Sequence, residues 1–267
     1  MDVLSFFSFL RRGTHARDGQ PAASAPCVPD GICVYAIGDI HGQRAALDAM
    51  LARIDDDART RQQAGLRPIL VFLGDYVDRG LDSCGVLDRL CAGPLRGIEC
   101  RFLLGNHEAA MLDFLKDPVR AAEWLSYGGA EALGSYGIRA SVGVRDSARC
   151  RGLRDALAER LPDEHLRFLQ ALEPMVVIGD YAFVHAGIRP RRALARQRTD
   201  EIITIREPFL SWPHRHEKVI VHGHTIVERP EVTRNRIGID TGAYATGVLT
   251  ALVLCGDTQS FIQVRSL

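Results

Sequence analysis

No apolar run in this 267-residue chain approaches the length needed to cross a membrane. The opening stretch Leu4 to Leu10 is too short for a secretion-signal core, and Arg11 and Arg12 follow it where a signal's basic residues would precede. An excess charge of one sign is also missing. With Lys plus Arg at 33 and Asp plus Glu at 33, no overall field recruits nucleic acid, and any attraction for anions must be local. The seven cysteines contain no Cys-x-x-Cys pair, which speaks against a structural zinc site and predicts reduced thiols in a cytoplasmic protein. Internal repeats are absent. What remains, 46% hydrophobic and 25% charged residues, is the composition of a globular protein able to bury a substantial core. Neither a nucleic-acid nor a membrane partner is expected, and the oligomeric state stays open.

Against this plain background, five short clusters of Asp, Asn and His stand out. They are Gly38-Asp39-Ile40-His41-Gly42, Gly74-Asp75-Tyr76-Val77-Asp78-Arg79-Gly80, Gly105-Asn106-His107-Glu108, Val184-His185-Ala186-Gly187 and Val221-His222-Gly223-His224-Thr225. Each follows a short apolar run: Ile32 to Ile37, Ile69 to Leu73, Phe102 to Leu104, Tyr181 to Val184 and Val219 to Val221. Each cluster is therefore predicted at a strand's carboxyl edge, where open α/β sheets place their sites.

Ala45, Leu47, Met50, Leu51 and Ile54 recur at helical spacing between the first two strands, which makes a βαβ unit. Val86, Leu87, Leu90 and Leu95 form a second crossover ended by Gly93-Pro94. Val176 to Ile178, Gly179-Asp180 and Tyr181 to Val184 spell a hairpin. Later strands near Val219, Arg236, Val248 and Phe261 are expected to complete a second mixed sheet. The fold class is α/β, with two mixed β-sheets packed as a sandwich flanked by helices. Residues 1–30 are expected as a flexible N-terminal segment, and 31–267 as one domain with a helical insertion at about 115–172.

A pair of divalent ions accounts for the clusters jointly. Asp39 and His41, two residues apart, can face one ion, and Asp75 has two oxygens with which to bridge both. Asn106 supplies a neutral oxygen to the second ion, and His185 and His224 add imidazole nitrogens there. Carboxylate, amide oxygen and imidazole suit manganese, with iron or zinc as alternatives, and no soft thiolate is involved. Two such ions clamp phosphate oxygens and lower the pKa of a bridging water, so the nucleophile is hydroxide. His107 follows a ligand directly and can protonate the leaving group, with Asp78 holding its tautomer. Arg79 offers a planar fork to phosphate. Arg206 is the expected second guanidinium, with Asn106 as a further phosphate contact. His165, on a predicted helix, is expected to face solvent.

In this order the clusters resemble the metal-dependent phosphoprotein phosphatases of the calcineurin-like metallophosphoesterase superfamily, through Gly-Asp-x-His-Gly, Gly-Asp-x-Val-Asp-Arg-Gly and Gly-Asn-His-Glu. The resemblance implies Asp39, His41 and Asp75 on one ion, and Asp75, Asn106, His185 and His224 on the other. It also implies His107 with Asp78 as the acid pair and Arg79 on the phosphate. At His222-Gly223-His224-Thr225 the chain departs from the Arg-x-His-Gln pattern of eukaryotic members and is closer to the bacterial and phage branch. The resemblance puts His222 at the position of the family's arginine, as a phosphate contact, and leaves Tyr244 either reaching the site or simply packed. The expected activity is hydrolysis of phosphomonoesters, first of phosphorylated serine and threonine in proteins. Symmetrical cleavage of dinucleoside tetraphosphates is the alternative, followed by a non-catalytic scaffold.

Overall fold

A computed structural model describes residues 25–265. The chain opens as the β1(Ile32–Ile37), α1(Arg44–Gln63), β2(Arg67–Phe72), α2(Ser83–Cys91), β3(Glu99–Phe102) series that the apolar periodicity predicts. Five helical segments follow: α3(Asn106–Lys116), a 3-10 turn at Ala122–Ser126, α4(Gly129–Ser135), α5(Ser147–Arg160) and α6(Asp163–Gln170). The hairpin is β4(Met175–Ile178) and β5(Tyr181–Val184), paired antiparallel from Ile178 opposite Tyr181. After α7(Thr199–Ile202) come β6(Val219–His222), β7(Glu231–Val232), β8(Arg236–Gly238), α8(Ala243–Thr246), β9(Val248–Cys255) and β10(Thr258–Arg265).

Two five-stranded sheets result, ordered β10-β9-β1-β2-β3 and β4-β5-β6-β8-β7. The last two strands thus join the first sheet, not the second as the sequence order suggests. Val248–Cys255 is apolar almost throughout and pairs antiparallel with β1, from Cys33 opposite Cys255 to Ile37 opposite Ala251. A strand buried on both faces needs an interior position, and the place between β10 and β1 in the first sheet supplies it.

The period of two along β1 divides the core into layers. Val34 and Ala36 face the second sheet with Val71, Phe183, Val221 and Leu252. Cys33, Tyr35 and Ile37 face the helices, where Leu47, Met50, Leu87, Phe114 and Trp124 pack. A smaller apolar cluster, including Val184, Ile202 and Phe209, covers the far side of the second sheet.

Two expectations change here. Cys33 and Cys255 form a disulfide, with Cα atoms 4.6 Å apart. The 222 residues between them hide a pairing that depends on strand register. The end of the expected flexible lead-in is docked: Val28 is buried, its N–H donates to Gly256 O at 3.0 Å, and the Tyr181 hydroxyl donates to Pro26 O. Residues 1–24 of that lead-in lie outside the described residues. Among the described residues no helix is long and apolar enough to cross a membrane.

Candidate active site

The clusters following β1, β2 and β3, and those at the ends of β5 and β6, meet at one place along the carboxyl ends of parallel strands. Backbone conformation marks the convergence. Six described non-glycine residues have positive φ, and His41, Asp75, Asp78, Arg79 and His224 are five of them, at 47° to 73°. Such conformations are costly for side-chain-bearing residues and persist only where surroundings over-determine them. Glu108 supplies much of that determination. Its buried carboxylate accepts N–H bonds from Tyr76 at 2.7 Å and Val77 at 3.1 Å, and from Asp75 at 2.9 Å and Gly105 at 3.1 Å. Glycine is required at two close approaches: a Cβ on Gly105 would fall on the Asp75 carboxylate, and one on Gly223 would fall on that of Asp39.

Asp75 stands between two imidazoles. Its Oδ2 lies 3.4 Å from His41 Nε2, and its Oδ1 lies 3.3 Å from His185 Nε2. Asn106 Oδ1 is 3.0 Å from the same His185 nitrogen. His41 Nδ1 faces Val77 O at 2.9 Å and His185 Nδ1 faces Leu73 O at 2.8 Å, so both rings turn Nε2 toward the centre. His224 completes this side. Its ring centroid is 5.0 Å from that of His185, its N–H donates to the Asp39 carboxylate, and its buried Nε2 has no hydrogen-bond partner.

The charges of this centre are unbalanced as they stand. Burial, with Asp240 and Asp75 nearby, holds the Asp39 carboxyl well above the usual range. Burial also penalises the Asp75 carboxylate, but His185, His107 and His41 outweigh it and hold that carboxyl well below the usual range. Burial pushes His41 and His224 down to about 3. It opposes the charge on His185 too, yet Asp75 and Asp39 bring that ring up to about 10. Buried carboxyl groups, the neutral His41 and His224 rings and an orphaned Nε2 suit divalent cations, whose charge would stabilise the carboxylates and displace the proton of His185.

Beside the centre lies a proton-handling group. His107 Nδ1 is 2.7 Å from Asp78 Oδ2, and the Trp124 indole N–H donates to the same oxygen at 2.7 Å. Burial pushes Asp78 up to about 6, against the opposing effect of those two hydrogen bonds. For His107, burial opposes the charge, but Asp75 and Asp78 prevail and its pKa is raised. Arg79 places a guanidinium nitrogen 3.1 Å from His107 Nε2 and lies over the Tyr244 ring at 4.7 Å. That contact needs an unprotonated Nε2, so it and the raised pKa compete for one lone pair. A phosphate that draws Arg79 away would leave Nε2 free to carry the proton.

Arg79, Asn106, His107, Arg206, His224 and Tyr244 line one open cleft of about 600 Å³. The structure therefore brings together every site residue expected from sequence except His222. That residue ends β6 inside the second sheet, buried beside the Phe209 ring and Gly238 and away from the cleft lining. β6 ends at His222 and the backbone then turns through Gly223 to His224 at φ 61°, so the two imidazoles have different surroundings and His222 is not placed to contact a phosphate in the cleft. Sequence reasoning missed Trp124, Glu108 as loop organiser, and Asp240 beside Asp39. For Glu108 the signal was present, since a carboxylate three residues after a glycine-capped helix start can reach back to free N–H groups.

The sequence profile of the calcineurin-like phosphoesterases matches residues 33–258. The chain is 28% identical over 235 residues to the asymmetrical bis(5'-nucleosyl)-tetraphosphatase PrpE of Geobacillus thermodenitrificans, covering 81% of this chain and 88% of that protein. It is 28% identical over 163 residues to the symmetrical bis(5'-nucleosyl)-tetraphosphatase of a Janthinobacterium species, covering 61% and 46%. A crystal structure named for a candidate diadenosine tetraphosphatase shares the fold at a TM-score of 0.61 and 24% identity, covering 91% of this chain and 99% of that one.

Proposed function

The chain belongs to the calcineurin-like phosphoesterase family, and on that premise we propose that this metallophosphoesterase hydrolyses phosphoanhydride bonds of dinucleoside polyphosphates. The observation that carries the choice is the cleft, together with the chain's likeness to tetraphosphatases. Its volume of about 600 Å³ exceeds what a phosphoryl group needs, and the exposed side chains of Tyr127, Val142 and Tyr244 stand on its walls. Flat aromatic faces beside a phosphate site suit nucleobases, which stack with about 1–3 kcal/mol each. The sequence by itself ranks phosphoproteins first. The tetraphosphatases among the chain's relatives reverse that order.

Asp39, His41, Asp75, Asn106, His185 and His224 would hold two divalent ions, which would supply Lewis-acid charge neutralisation and activation of water. Manganese suits this donor set, and iron or zinc is compatible with it. Arg79 and Arg206 bind and orient the phosphate chain from the cleft. Asp78 keeps the Nδ1 proton of His107, so Nε2 delivers a proton to the departing oxygen. When the leaving group is a nucleoside phosphate, that oxygen is far less basic than an alkoxide. Asp78→Asn should then slow cleavage of an alkyl phosphomonoester more than cleavage of the anhydride.

The test compares kcat/KM for diadenosine tetraphosphate, a phosphoserine peptide and an aryl phosphate, each with Mn²⁺ and after chelation. Metal-dependent preference for the dinucleotide by about ten-fold, or 1.4 kcal/mol, is expected. Release of ATP with AMP, or of two ADP, tells which anhydride bond is cut. Preference for the phosphopeptide would overturn the proposal in favour of a serine/threonine phosphatase.

A further inference from the structure

Three groupings of His, Cys, Asp or Glu among the described residues bring three ligand atoms within 4.8 Å of one another. Two of them share Asp75 and belong to the centre above. The third, Cys84, Asp88 and His165, contains none of its residues.

Cys84 and Asp88 are four apart on α2 and so share a face. Cys91 lies three residues further along that face, its thiol 3.8 Å from Glu164 O. His165 arrives from α6, fully buried, where a solvent-facing histidine was expected. Its Nε2 is 2.9 Å from Asp88 Oδ1, and its Nδ1 is 3.0 Å from the Tyr136 hydroxyl. The second contact is the arrangement that fixes a ligating imidazole, with one nitrogen held by an oxygen and the other turned toward the ion. Asp88 is 55% exposed at its side chain, which leaves an entry path from solvent. Burial and the Asp88 and Asp82 carboxylates push the Cys84 thiol up to about 11, so it is no nucleophile at neutral pH. The same acidic surroundings attract a cation, and a cation's charge reverses the thiol's preference.

We propose that Cys84, Asp88 and His165 form a second cation site, separate from the hydrolytic centre, that takes a borderline divalent ion such as zinc and ties α2 to α6. Thiolate, imidazole and carboxylate with a water in the fourth place form a tetrahedral donor set that hard magnesium or calcium does not favour. The sequence hides this site because Cys84 and His165 come from helices far apart in the chain and share no ligand-spacing motif. The ion would act on the hydrolytic centre through position. Ser83, the first residue of α2, accepts the Asp78 N–H at 2.9 Å, so anchoring α2 also anchors the loop that carries Asp78 and Arg79.

Cobalt separates the two sites, because only this one offers a thiolate. The full chain, reduced and stripped with chelator, is titrated with Co²⁺ and followed in the near ultraviolet. A thiolate-to-cobalt charge-transfer band is expected, saturating at one ion per chain and displaced by Zn²⁺. Cys84→Ser should abolish it, and Asp88→Asn should weaken ion binding by about ten-fold or more. Circular dichroism confirms that each variant is folded, and the exposed Asp88 gives a second variant should Cys84→Ser fail to fold. Absence of the band in the wild-type chain, or a band of full strength in Cys84→Ser, would overturn the proposal. The Asp88 to His165 hydrogen bond would then be an ordinary tether between helices.

Discussion

Replacing Glu108 by glutamine changes one oxygen to an amide and leaves size and shape almost intact. The carboxylate oxygens serve different pairs of donors. One accepts Tyr76 N–H at 2.7 Å and Val77 N–H at 3.1 Å, the other Asp75 N–H at 2.9 Å and Gly105 N–H at 3.1 Å. Whichever way the amide turns, its NH₂ group meets two N–H donors, and both lose their acceptor. A buried unsatisfied donor costs about 1–3 kcal/mol, so Glu108→Gln should destabilise the fold by about 2–6 kcal/mol. Against a total of ~5–15 kcal/mol for a domain, that is a large share. Urea unfolding measures it: the midpoint should fall while the slope stays constant, because the exposed surface is unchanged. Glu108→Ala should cost more, since all four donors are orphaned and a cavity is added. Cation binding should weaken too, because the Asp75 backbone at φ 52° loses its tether. A loss of less than about 0.5 kcal/mol for the glutamine variant would show that these four contacts do not organise the loops.

Trp124→Phe removes the indole donor to Asp78 Oδ2. A hydrogen bond to a charged group is worth about 1.5–3 kcal/mol, so turnover on an alkyl phosphomonoester should fall about 10- to 100-fold. Bound metal, measured by elemental analysis, should stay constant, and unchanged turnover would remove Trp124 from the acid pair's support. Gly223→Ala would drive a methyl group into the Asp39 carboxylate, and cation affinity should drop by about 10- to 100-fold, as for other changes that displace a ligand. Retention of wild-type affinity would count against Asp39 as a ligand. In cation-free protein His185 is raised from 6.5 to about 10: burial opposes its charge and Asp75 more than compensates. Its contribution to stability is then complete below 6.5 and lost as pH rises through about 10. The urea midpoint of chelated protein should fall across that window. Cation-loaded protein, whose ligating imidazole is already neutral, should lack this slope, and equal slopes would refute the assignment.

The local elements follow from short-range pattern. Ile32–Ile37, Tyr181–Val184 and the turn at Gly179-Asp180 fall where apolar runs and turn residues place them, because each needs only its own neighbours. The positions of β9 and β10 do not follow from local pattern, since an apolar strand is equally content in either sheet until its partner is known. Trp124 was illegible for the same reason. Nothing near it in sequence hints that its N–H ends on a carboxylate 46 residues earlier. His222 and His224 look alike in sequence, yet one ends in the sheet interior and the other at the cleft.

Donor chemistry belongs to the sequence alone. Asp, Asn and His at successive strand ends specify cations and phosphate before any coordinates, since residue type decides what can ligate and strand order decides that the clusters converge. Only tertiary structure decided that Glu108 holds two loops at once. It also decided that Cys33 meets Cys255 and that Cys84, Asp88 and His165 meet at all. Those facts depend on register and helix packing, where contacts of a few ångströms join residues tens to hundreds of positions apart.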